Sequence, residues 1–496
     1  MNVAFTRIDH DTREKREPSP SSASSDLEAS HGITEKHLLR KLDRHLLPGV
    51  CILYLLSFLD RSNVANAKLD GLTTSLGISG NEYLTGLTLF FVGYIIFEVI
   101  WNVILKRIGP RIWLPLLTFI WGVVATLQGV IVNNGGKSGL AGFLVVRFFL
   151  GLTEGGLFPG VVFYLSMWYK RSERQYRIAL FFSAASLAGA FGGILAYGIG
   201  FMKGVGGYEG WRWIFIIEGL LTCVLAAAGW WYIADWPSKA KFITSEERAF
   251  LNSRLKADSD ATAHEGFTWA NVLTAVKDPK VWLYGACFHT LSLPLYTLSL
   301  FLPSIIKALG YTAAHAQLLT IPPYAFATIL TVVYAVVSER FARRGPFIIA
   351  STLTAIIGYC ILLGNTNPLK RPGVSYLGTF FAAGGIYPSV ALALSWPAIN
   401  VSGQTKRATA NAMQITIGNL GAVIGTQLYR ANDGPRYIVG HSVALAYLTG
   451  NIAVVSTIWF VLQRENSKRD REQREGKVQT EGDWLGDEDS RWRFRL

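Results

Sequence analysis

Long hydrophobic stretches alternate with short polar ones along most of this 496-residue chain. Each stretch is long enough to cross the roughly 30 Å of hydrocarbon in a bilayer as an α-helix. The windows fall at 47–68, 83–105, 112–132, 140–168, 177–201 and 211–234, then at 281–302, 315–337, 346–364, 374–397, 408–428 and 441–462. The pattern predicts an all-α integral membrane protein with twelve transmembrane helices in two six-helix bundles.

Polar segments divide the chain into five predicted parts. Residues 36–48 set leucines against arginine and lysine, which is typical of an amphipathic helix lying on a membrane surface. The predicted parts are a cytoplasmic tail with this lead helix at 1–46, an N-terminal bundle at 47–234, a cytoplasmic linker at 235–280, a C-terminal bundle at 281–463 and a charged, mobile cytoplasmic tail at 464–496.

The distribution of lysine and arginine predicts the orientation, because short loops rich in these residues stay on the cytoplasmic side. Cations cluster in every second loop, namely at 106–111, 170–177, the central linker, 340–344 and 406–407. Both termini are therefore expected in the cytoplasm. We expect a multi-pass protein of the plasma membrane, with an internal membrane as the alternative, since no targeting motif decides between them.

Composition excludes most other classes. Half of the residues are hydrophobic and only 16% are charged, which is too apolar for a soluble domain of this size. The net charge of +13 is spread over loop clusters, so it indicates topology rather than nucleic-acid binding. The four cysteines lie in apolar runs, and we find no metal-ligand spacing, nucleotide fingerprint or catalytic constellation. We therefore expect no enzyme activity, no cofactor and no metal.

The two halves echo each other. The run from Gly155 to Val161, GGLFPGV, recurs as GGIYPSV from Gly384 to Val390, and 106–111 resembles 343–346. Repeats of this kind are common in transporters that enclose a central cavity. The echo predicts two pseudo-symmetric bundles.

Charged residues inside the apolar windows are the first candidates for a site. Arg61 and Arg147 lie at similar predicted depth on two helices, where their guanidinium groups could clamp a carboxylate. Glu154 follows Arg147 by two turns, and burial there favours the protonated carboxyl that proton coupling needs. We expect both arginines to face one cavity with Glu154 below them. The alternative is that Arg61 pairs with Asp60, and Arg147 with Glu154, as structural ion pairs.

Other polar residues are assigned by their depth and neighbours. His289 could contact substrate or proton, although a lone histidine in such a helix is usually packed. The predicted substrate-binding set is Arg61, Asn63, Arg147, His289, Gln414 and Asn419, with Glu154 as the proton-coupling residue. The predicted gating or structural set is Glu98, Lys106, Arg107, Arg111, Pro159, Arg340 and Pro388.

The chain resembles the major facilitator superfamily, and within it the fungal anion:cation symporter family of allantoate, nicotinate and vitamin permeases. The resemblance rests on KLDRHLLP, LDRSNVANA at 59–67, RFFLGLTEGGLFPG, WYKRSER, GWRWIFIIEG at 210–219, and SWPAINVSGQTKR with the later DGPRY. It implies two bundles that alternate access around a midplane site, with functional charges on Arg61, Arg147 and Glu154. The chain departs from the pattern at Lys106, where an acidic residue is usual, and at Trp101, where proline is common.

These observations predict a secondary active transporter that carries a small organic anion together with protons, as a monomer in the lipid bilayer. Two alternatives stay open. The same fold could export an organic acid or secondary metabolite, or the chain could be a nutrient sensor without transport activity.

Overall fold

Helices account for the fold of this protein, for which we describe a computed structural model. The structure describes residues 34–135, 137–257, 268–341, 343–475 and 486–496, and no β-strand occurs within those ranges. The helices of the first half are α1 (Glu35–Leu69), α2 (Leu72–Leu76), α3 (Gly80–Ile108), α4 (Pro110–Gly129), α5 (Ser138–Glu154), α6 (Leu157–Ser166), α7 (Arg171–Gly200) and α8 (Gly210–Tyr232). Those that follow are α9 (Ser245–Ala257), α10 (Trp269–Lys277), α11 (Pro279–Ala308), α12 (Ala313–Leu319), α13 (Ile321–Arg340), α14 (Gly345–Gly364), α15 (Pro372–Asn400), α16 (Gln404–Gly425) and α17 (Ile438–Arg474).

Each hydrophobic window predicted from the sequence coincides with one of these helices or with two in succession. Within the described ranges, eleven spans are long and apolar enough to cross a membrane. The remaining window, 408–428, falls on α16, whose 22 residues extend about 33 Å but include many polar side chains. The all-α prediction is confirmed, and α16 is the span that hydropathy alone marks least clearly.

Capping residues fix where several helices begin. Ser79 precedes α3, its Oγ accepts from the backbone N–H of Glu82, and Glu82 Oε2 accepts from the backbone N–H of Ser79 at 2.7 Å. This reciprocal pair satisfies donors that a helix start leaves free. Asp278 likewise caps α11 by accepting from the N–H of Lys280, with Pro279 in the first helical position.

Glycines allow the helices around the centre to approach closely. A Cβ placed on Gly151 of α5 would lie 1.8 Å from the carbonyl oxygen of Phe90 in α3. In the second half, a Cβ on Gly385 of α15 would lie 2.2 Å from the backbone nitrogen of Ala355 in α14. Side chains at these positions would separate the helix pairs, so the glycines allow α3 to approach α5 and α14 to approach α15.

A local interruption separates α5 from α6 at Gly155 and Gly156. There the indole Nε1 of Trp101 donates to the carbonyl oxygen of Leu152 at 2.5 Å. In an unbroken helix this carbonyl would accept from the N–H four residues later. Trp101 from α3 therefore supplies a donor at the break, directly beside Glu154.

One end of the molecule carries clustered cations, among them Lys106, Arg107, Lys170, Arg343 and Lys406, and we call it the cationic end. Here the linker helix α9 is tied to the N-terminal half by ion pairs. The pairs formed by α9 are Lys41–Glu247 at 2.7 Å and Arg254–Glu173 at 2.8 Å. Two further pairs, Lys170–Glu35 at 2.6 Å and Arg177–Asp43 at 2.6 Å, join segments of the N-terminal half to each other. Burial raises the pKa of Glu247, but hydrogen bonds from Lys41 and Thr244 outweigh burial and lower that pKa overall.

The last residues of the chain pack against the cationic end of the second half. Trp492 and Phe494 are buried, and the carbonyl oxygen of Arg495 accepts from Trp396 Nε1 at 3.0 Å and from Asn400 Nδ2 at 2.8 Å. Lys406 also pairs with Asp487 at 2.8 Å. The prediction of a mobile tail is therefore wrong for two segments. Residues 464–474 extend α17, and residues 486–496 are anchored by buried aromatic side chains. Residues 476–485 lie outside the described ranges.

Candidate functional site

A buried ion pair lies at the centre of the molecule, between Arg61 of α1 and Glu154 at the end of α5. Ser57, one turn before Arg61, also donates to Glu154 through its hydroxyl. The other arm of the guanidinium, Nη1, donates to the hydroxyl of Tyr296 in α11 at 2.8 Å. Arg61 therefore joins a carboxylate of the first half to a phenol of the second.

Aromatic rings surround the Arg61 guanidinium. Its central carbon lies 5.1 Å from the ring centre of Phe58, 5.2 Å from those of Phe90 and Tyr296, and 5.5 Å from that of Tyr94. Such distances allow cation–π attraction, which is stronger where water is excluded. The rings thus stabilise the cation in the interior without neutralising it.

A small closed cavity adjoins this cluster. Its volume is about 10 Å³, which is room for about one water molecule. Helices of both halves contribute to its wall, which consists of Tyr54, Arg61, Tyr94, Phe158, Phe182, Phe288, Tyr296, Leu394 and Ile415. All of these residues are buried, so the cavity is closed to solvent in this conformation, and Arg61 is its cationic group.

Arg147 lies near this centre but does not line the cavity. Its side chain is buried, and its central carbon lies 4.8 Å from the ring centre of Phe90, which also contacts Arg61. Within the described ranges, Arg147 Nε and Nη1 have no hydrogen-bond partner. Phe90 is thus shared by the two cations, and the expectation that both face one cavity is not met in this conformation.

Asp60 and Asn63 lie on a different face of α1 and contact neighbouring helices of the first half. Asp60 Oδ2 accepts from the indole Nε1 of Trp121 in α4, and Asn63 Nδ2 donates to Glu218 of α8. Both alternative ion pairs, Arg61 with Asp60 and Arg147 with Glu154, are therefore wrong. The rotation of α1 decides this, because it turns Ser57 and Arg61 toward α5, whereas Asp60 meets α4 and Asn63 meets α8.

Glu98 of α3 lies at the contact between the two halves. Its side chain is fully buried, and Oε2 accepts from the hydroxyl of Thr416 in α16 at 3.3 Å, whereas Oε1 has no partner within the described ranges. A second contact between α3 and α16 joins the hydroxyls of Thr88 and Thr426 at 2.8 Å. This arrangement suits the predicted gating role, which stays a prediction.

The second half contributes neutral polar groups. His289 Nδ1 lies 2.9 Å from the carbonyl oxygen of Ile417, and its ring packs against Tyr447, so the structure does not bring His289 to the cavity. Gln414 Nε2 donates to the carbonyl oxygen of Ala393 at 2.9 Å, next to the cavity residues Leu394 and Ile415. Asn419 is buried one turn further along α16, and its Oδ1 has no described partner.

The remaining predicted gating residues divide by location. Lys106, Arg107 and Arg340 are exposed at the cationic end. Arg111 donates from Nε to the carbonyl oxygen of Trp230 at 3.3 Å. Pro159 and Pro388 are buried inside α6 and α15.

Sequence reasoning did not assign roles to Ser57, Tyr54 or Tyr296 at this site. Ser57 could have been found by its spacing from Arg61, since residues four apart share a helix face. Tyr296 has no comparable signal, because its contact with Arg61 joins segments far apart in the chain. Within the described ranges, no group of three or more His, Cys, Asp or Glu residues could hold a metal ion.

Comparison with known proteins agrees with this geometry. The family profile of the Major Facilitator Superfamily matches residues 50–426. The chain belongs to the major facilitator superfamily. Fungal relatives of this superfamily include the "MFS-type transporter cnsO" of Penicillium expansum, 38% identical over 88% of this chain and 85% of that protein. The "High-affinity nicotinic acid transporter" of Saccharomyces cerevisiae is 34% identical over 88% of this chain and 79% of that protein.

Solved structures of the superfamily confirm the architecture of twelve helices in two pseudo-symmetric bundles. The proton:xylose symporter XylE bound to 6-bromo-6-deoxy-D-glucose aligns with a TM-score of 0.63 at 15% identity, over 84% of this chain and 96% of that chain. A bacterial homolog of the human lysosomal transporter Spinster aligns at 0.59 and 14%, over the same shares. The protein is thus a multi-pass membrane transporter of small molecules, in a fungal permease branch of the superfamily, and not an enzyme.

Proposed function

We propose that this major facilitator is a proton-coupled symporter of a small organic anion. The observation that carries the proposal is the position of Arg61, which is shared between Glu154 and Tyr296 at the wall of the closed central cavity. A guanidinium at such a place offers a planar fork of donors to a carboxylate. The carboxylate present in the closed form belongs to the protein itself.

Competition for Arg61 would couple the anion to a proton. A substrate carboxylate that binds the guanidinium replaces Glu154, and a buried carboxylate without its cation favours the protonated form. The site then holds one cation, one substrate anion and one neutral carboxyl, so its net charge equals that of the empty site. Anion and proton would therefore move together, which avoids carrying a net charge through hydrocarbon.

The cavity wall favours an anion with a flat apolar body. Tyr54, Phe158, Phe182 and Phe288 face the cavity beside Arg61, and aromatic rings stack or meet edge to face with planar ligands. The yeast relative is described as a nicotinic acid transporter, and nicotinic acid is an aromatic carboxylate. We propose this substrate class, including vitamins and related heterocyclic acids.

Other predicted residues take supporting roles in this proposal. Arg147 is a second contact for the anion once movement of Phe90 opens the cavity, since unpaired buried N–H groups are costly to keep. Gln414 and Asn419 would add neutral hydrogen bonds from α16, whereas Asn63 and His289 hold helices together. Glu98, with the glycine- and proline-bearing segments around Pro159 and Pro388, would act in closing the two halves.

Orientation follows from the same charges. We propose that the cationic end, and with it both termini and the linker, faces the cytoplasm. The exposed cations Lys106, Arg107 and Arg340 would hold that orientation, and Arg111 would anchor the start of α4 through its bond to Trp230. We further propose the plasma membrane as the location and a monomer as the working unit.

The deciding experiment measures uptake of radiolabelled nicotinate and a panel of other carboxylates into proteoliposomes with an imposed pH gradient. We expect Glu154→Gln to lose proton-driven accumulation while still exchanging labelled for unlabelled anion, because Arg61 remains. Glu218→Gln is the matched control, since it changes a buried carboxylate of the same half that contacts Asn63 away from the cavity. Accumulation by Glu154→Gln that still follows the pH gradient would refute the coupling.

A further inference from the structure

A second, larger cavity lies at the cationic end, outside the central site. Its volume is about 440 Å³, within the roughly 300–1,000 Å³ range of small-molecule sites. It is enclosed by the start of the apolar part of α1, the beginning of α4, the end of α8 and the linker that follows α8. The residues used below are Arg44, Ile52, Arg111, Trp231, Lys239 and Lys241.

Four permanent cations line this cavity. They are Arg44, Arg111, Lys239 and Lys241, and they come from three separate segments, whereas Asp235 is the single acid in the wall. Arg111 Nε donates to a backbone carbonyl. The other three have no carboxylate partner within the described ranges. The cavity is therefore strongly electropositive.

Neighbouring cations at the same end are paired. Lys41, only three residues before Arg44, pairs with Glu247 at 2.7 Å, and Arg177 pairs with Asp43 at 2.6 Å. The chain thus supplies an acid for each of these two cations. It supplies a single acid for the four that surround the cavity, which leaves a positive site that attracts an anion from elsewhere.

The lip of the cavity is apolar and faces the membrane. Trp231 is 81% exposed and Ile52 is 40% exposed, and both adjoin spans that cross the bilayer. Tryptophan and tyrosine concentrate at the depth of lipid headgroups. The cations therefore lie where a headgroup lies, with apolar side chains where acyl chains begin.

We propose that this cavity binds the phosphorylated headgroup of an acidic membrane lipid. Phosphate oxygens accept charge-assisted hydrogen bonds from arginine and lysine, and basic pockets between membrane helices suit such headgroups. A free phosphate would satisfy the cations but would leave the apolar lip uncovered. A lipid satisfies both at once.

The test uses the purified full-length chain in detergent. Thermal unfolding is followed as phosphatidylinositol 4-phosphate, phosphatidylcholine or inorganic phosphate is added at matched concentrations. We expect the phosphoinositide alone to raise the unfolding temperature. In Arg44→Gln/Lys239→Gln/Lys241→Gln its apparent affinity should fall by at least about tenfold, because the exposed cations that attract the headgroup are gone.

A control removes three exposed cations elsewhere at the same end, in Lys277→Gln/Arg343→Gln/Arg464→Gln. If the triple cavity variant does not fold, Lys239→Gln/Lys241→Gln serves in its place. Equal loss of affinity in the control would overturn the site, since surface charge alone would then explain binding. Stabilisation by inorganic phosphate as strong as that by the lipid would overturn the lipid assignment.

Discussion

The two halves of this transporter share an architecture but differ in where they keep charge. In the first half, Asp60, Arg61, Glu98, Arg147 and Glu154 are buried within spans. In α11–α17, aspartate, glutamate, lysine and arginine occur only near the helix ends and in the polar end of α17, and the titratable His289 lies inside α11. The two repeated halves thus differ in role. The first half holds buried charges, and the second supplies neutral hydrogen bonds and packing.

The repeated glycine segment shows the same divergence at closer range. Aligning GGLFPG with GGIYPS places Glu154 opposite Ala383 and Arg147 opposite Tyr376. The first copy is interrupted after Glu154, whereas α15 continues through its copy to Asn400. Glycine and proline are present in both copies, so they do not by themselves break the helix. The first copy also has a side-chain donor at this point, because Trp101 donates to the Leu152 carbonyl at the break.

The largest effect should come from removing the central cation. In Arg61→Met, anion uptake should fall by at least about 100-fold, because truncating one partner of a buried pair costs several kcal/mol and removes the anion contact. Initial uptake rates in proteoliposomes would measure this. Lys307→Met, which changes an exposed cation at an end of α11 in the other half, should stay near the wild-type rate.

A carboxyl group introduced into the neutral copy should reduce stability. Ala383 is fully buried inside α15, so Ala383→Glu should be destabilised by about 3–5 kcal/mol when ionised. The protonated form is favoured in the fold, and stability should therefore fall as the pH rises. Thermal unfolding of Ala383→Glu and Ala383→Gln at pH 5 and pH 8 checks this, and pH-independent curves for the glutamate variant would contradict it.

Removing the indole donor at the helix break should have an intermediate effect. Trp101→Phe leaves the Leu152 carbonyl without that hydrogen bond, at a cost of about 1–3 kcal/mol. We expect a lower unfolding temperature and uptake reduced several-fold, because the break positions Glu154. Tyr376→Phe is the matched change in the second copy, since it removes the hydroxyl that donates to the Leu319 carbonyl. Equal loss of uptake in both variants would argue against a special role for the break.

The smallest effect is expected at His289. Its ring nitrogen meets the Ile417 carbonyl, which a glutamine amide can also reach. His289→Gln should therefore change the uptake rate and its pH dependence by less than about twofold. A shift of the pH profile in this variant would show that the neutral half also handles protons.

Much of the fold could be predicted from the sequence, because each transmembrane helix needs a hydrophobic stretch long enough to cross the bilayer. The window at 408–428 is a limiting case, since α16 crosses with Gln414 and Asn419 buried against other helices rather than exposed to lipid. Polar residues hidden in this way lower the hydropathy of a span without changing its position. The span was still predicted at the right place, because its apolar window is long enough to cross a bilayer.

The candidate site was accessible only in part. The free-energy cost of placing a charged side chain in hydrocarbon identified Arg61, Arg147 and Glu154 as candidates. These three residues do lie close together. Their partners were not predictable, because a side chain in a helix can turn to several neighbours and the choice of Glu154 over Asp60 depends on how α1 and α5 are rotated. Tyr296 lies in the other half of the chain, and local spacing carries no information about such contacts.

The anchored C-terminal segment has a mechanical consequence. Its backbone bonds to Asn400 at the end of α15, its Asp487 pairs with Lys406 in α16, and its Phe494 bonds to Asn466 in α17. The C-terminal segment thereby connects α15, α16 and α17 at the cationic end. A protein or affinity tag joined directly after Leu496 would begin within this packed segment. A long flexible spacer is therefore needed to leave the movement of these three helices unchanged.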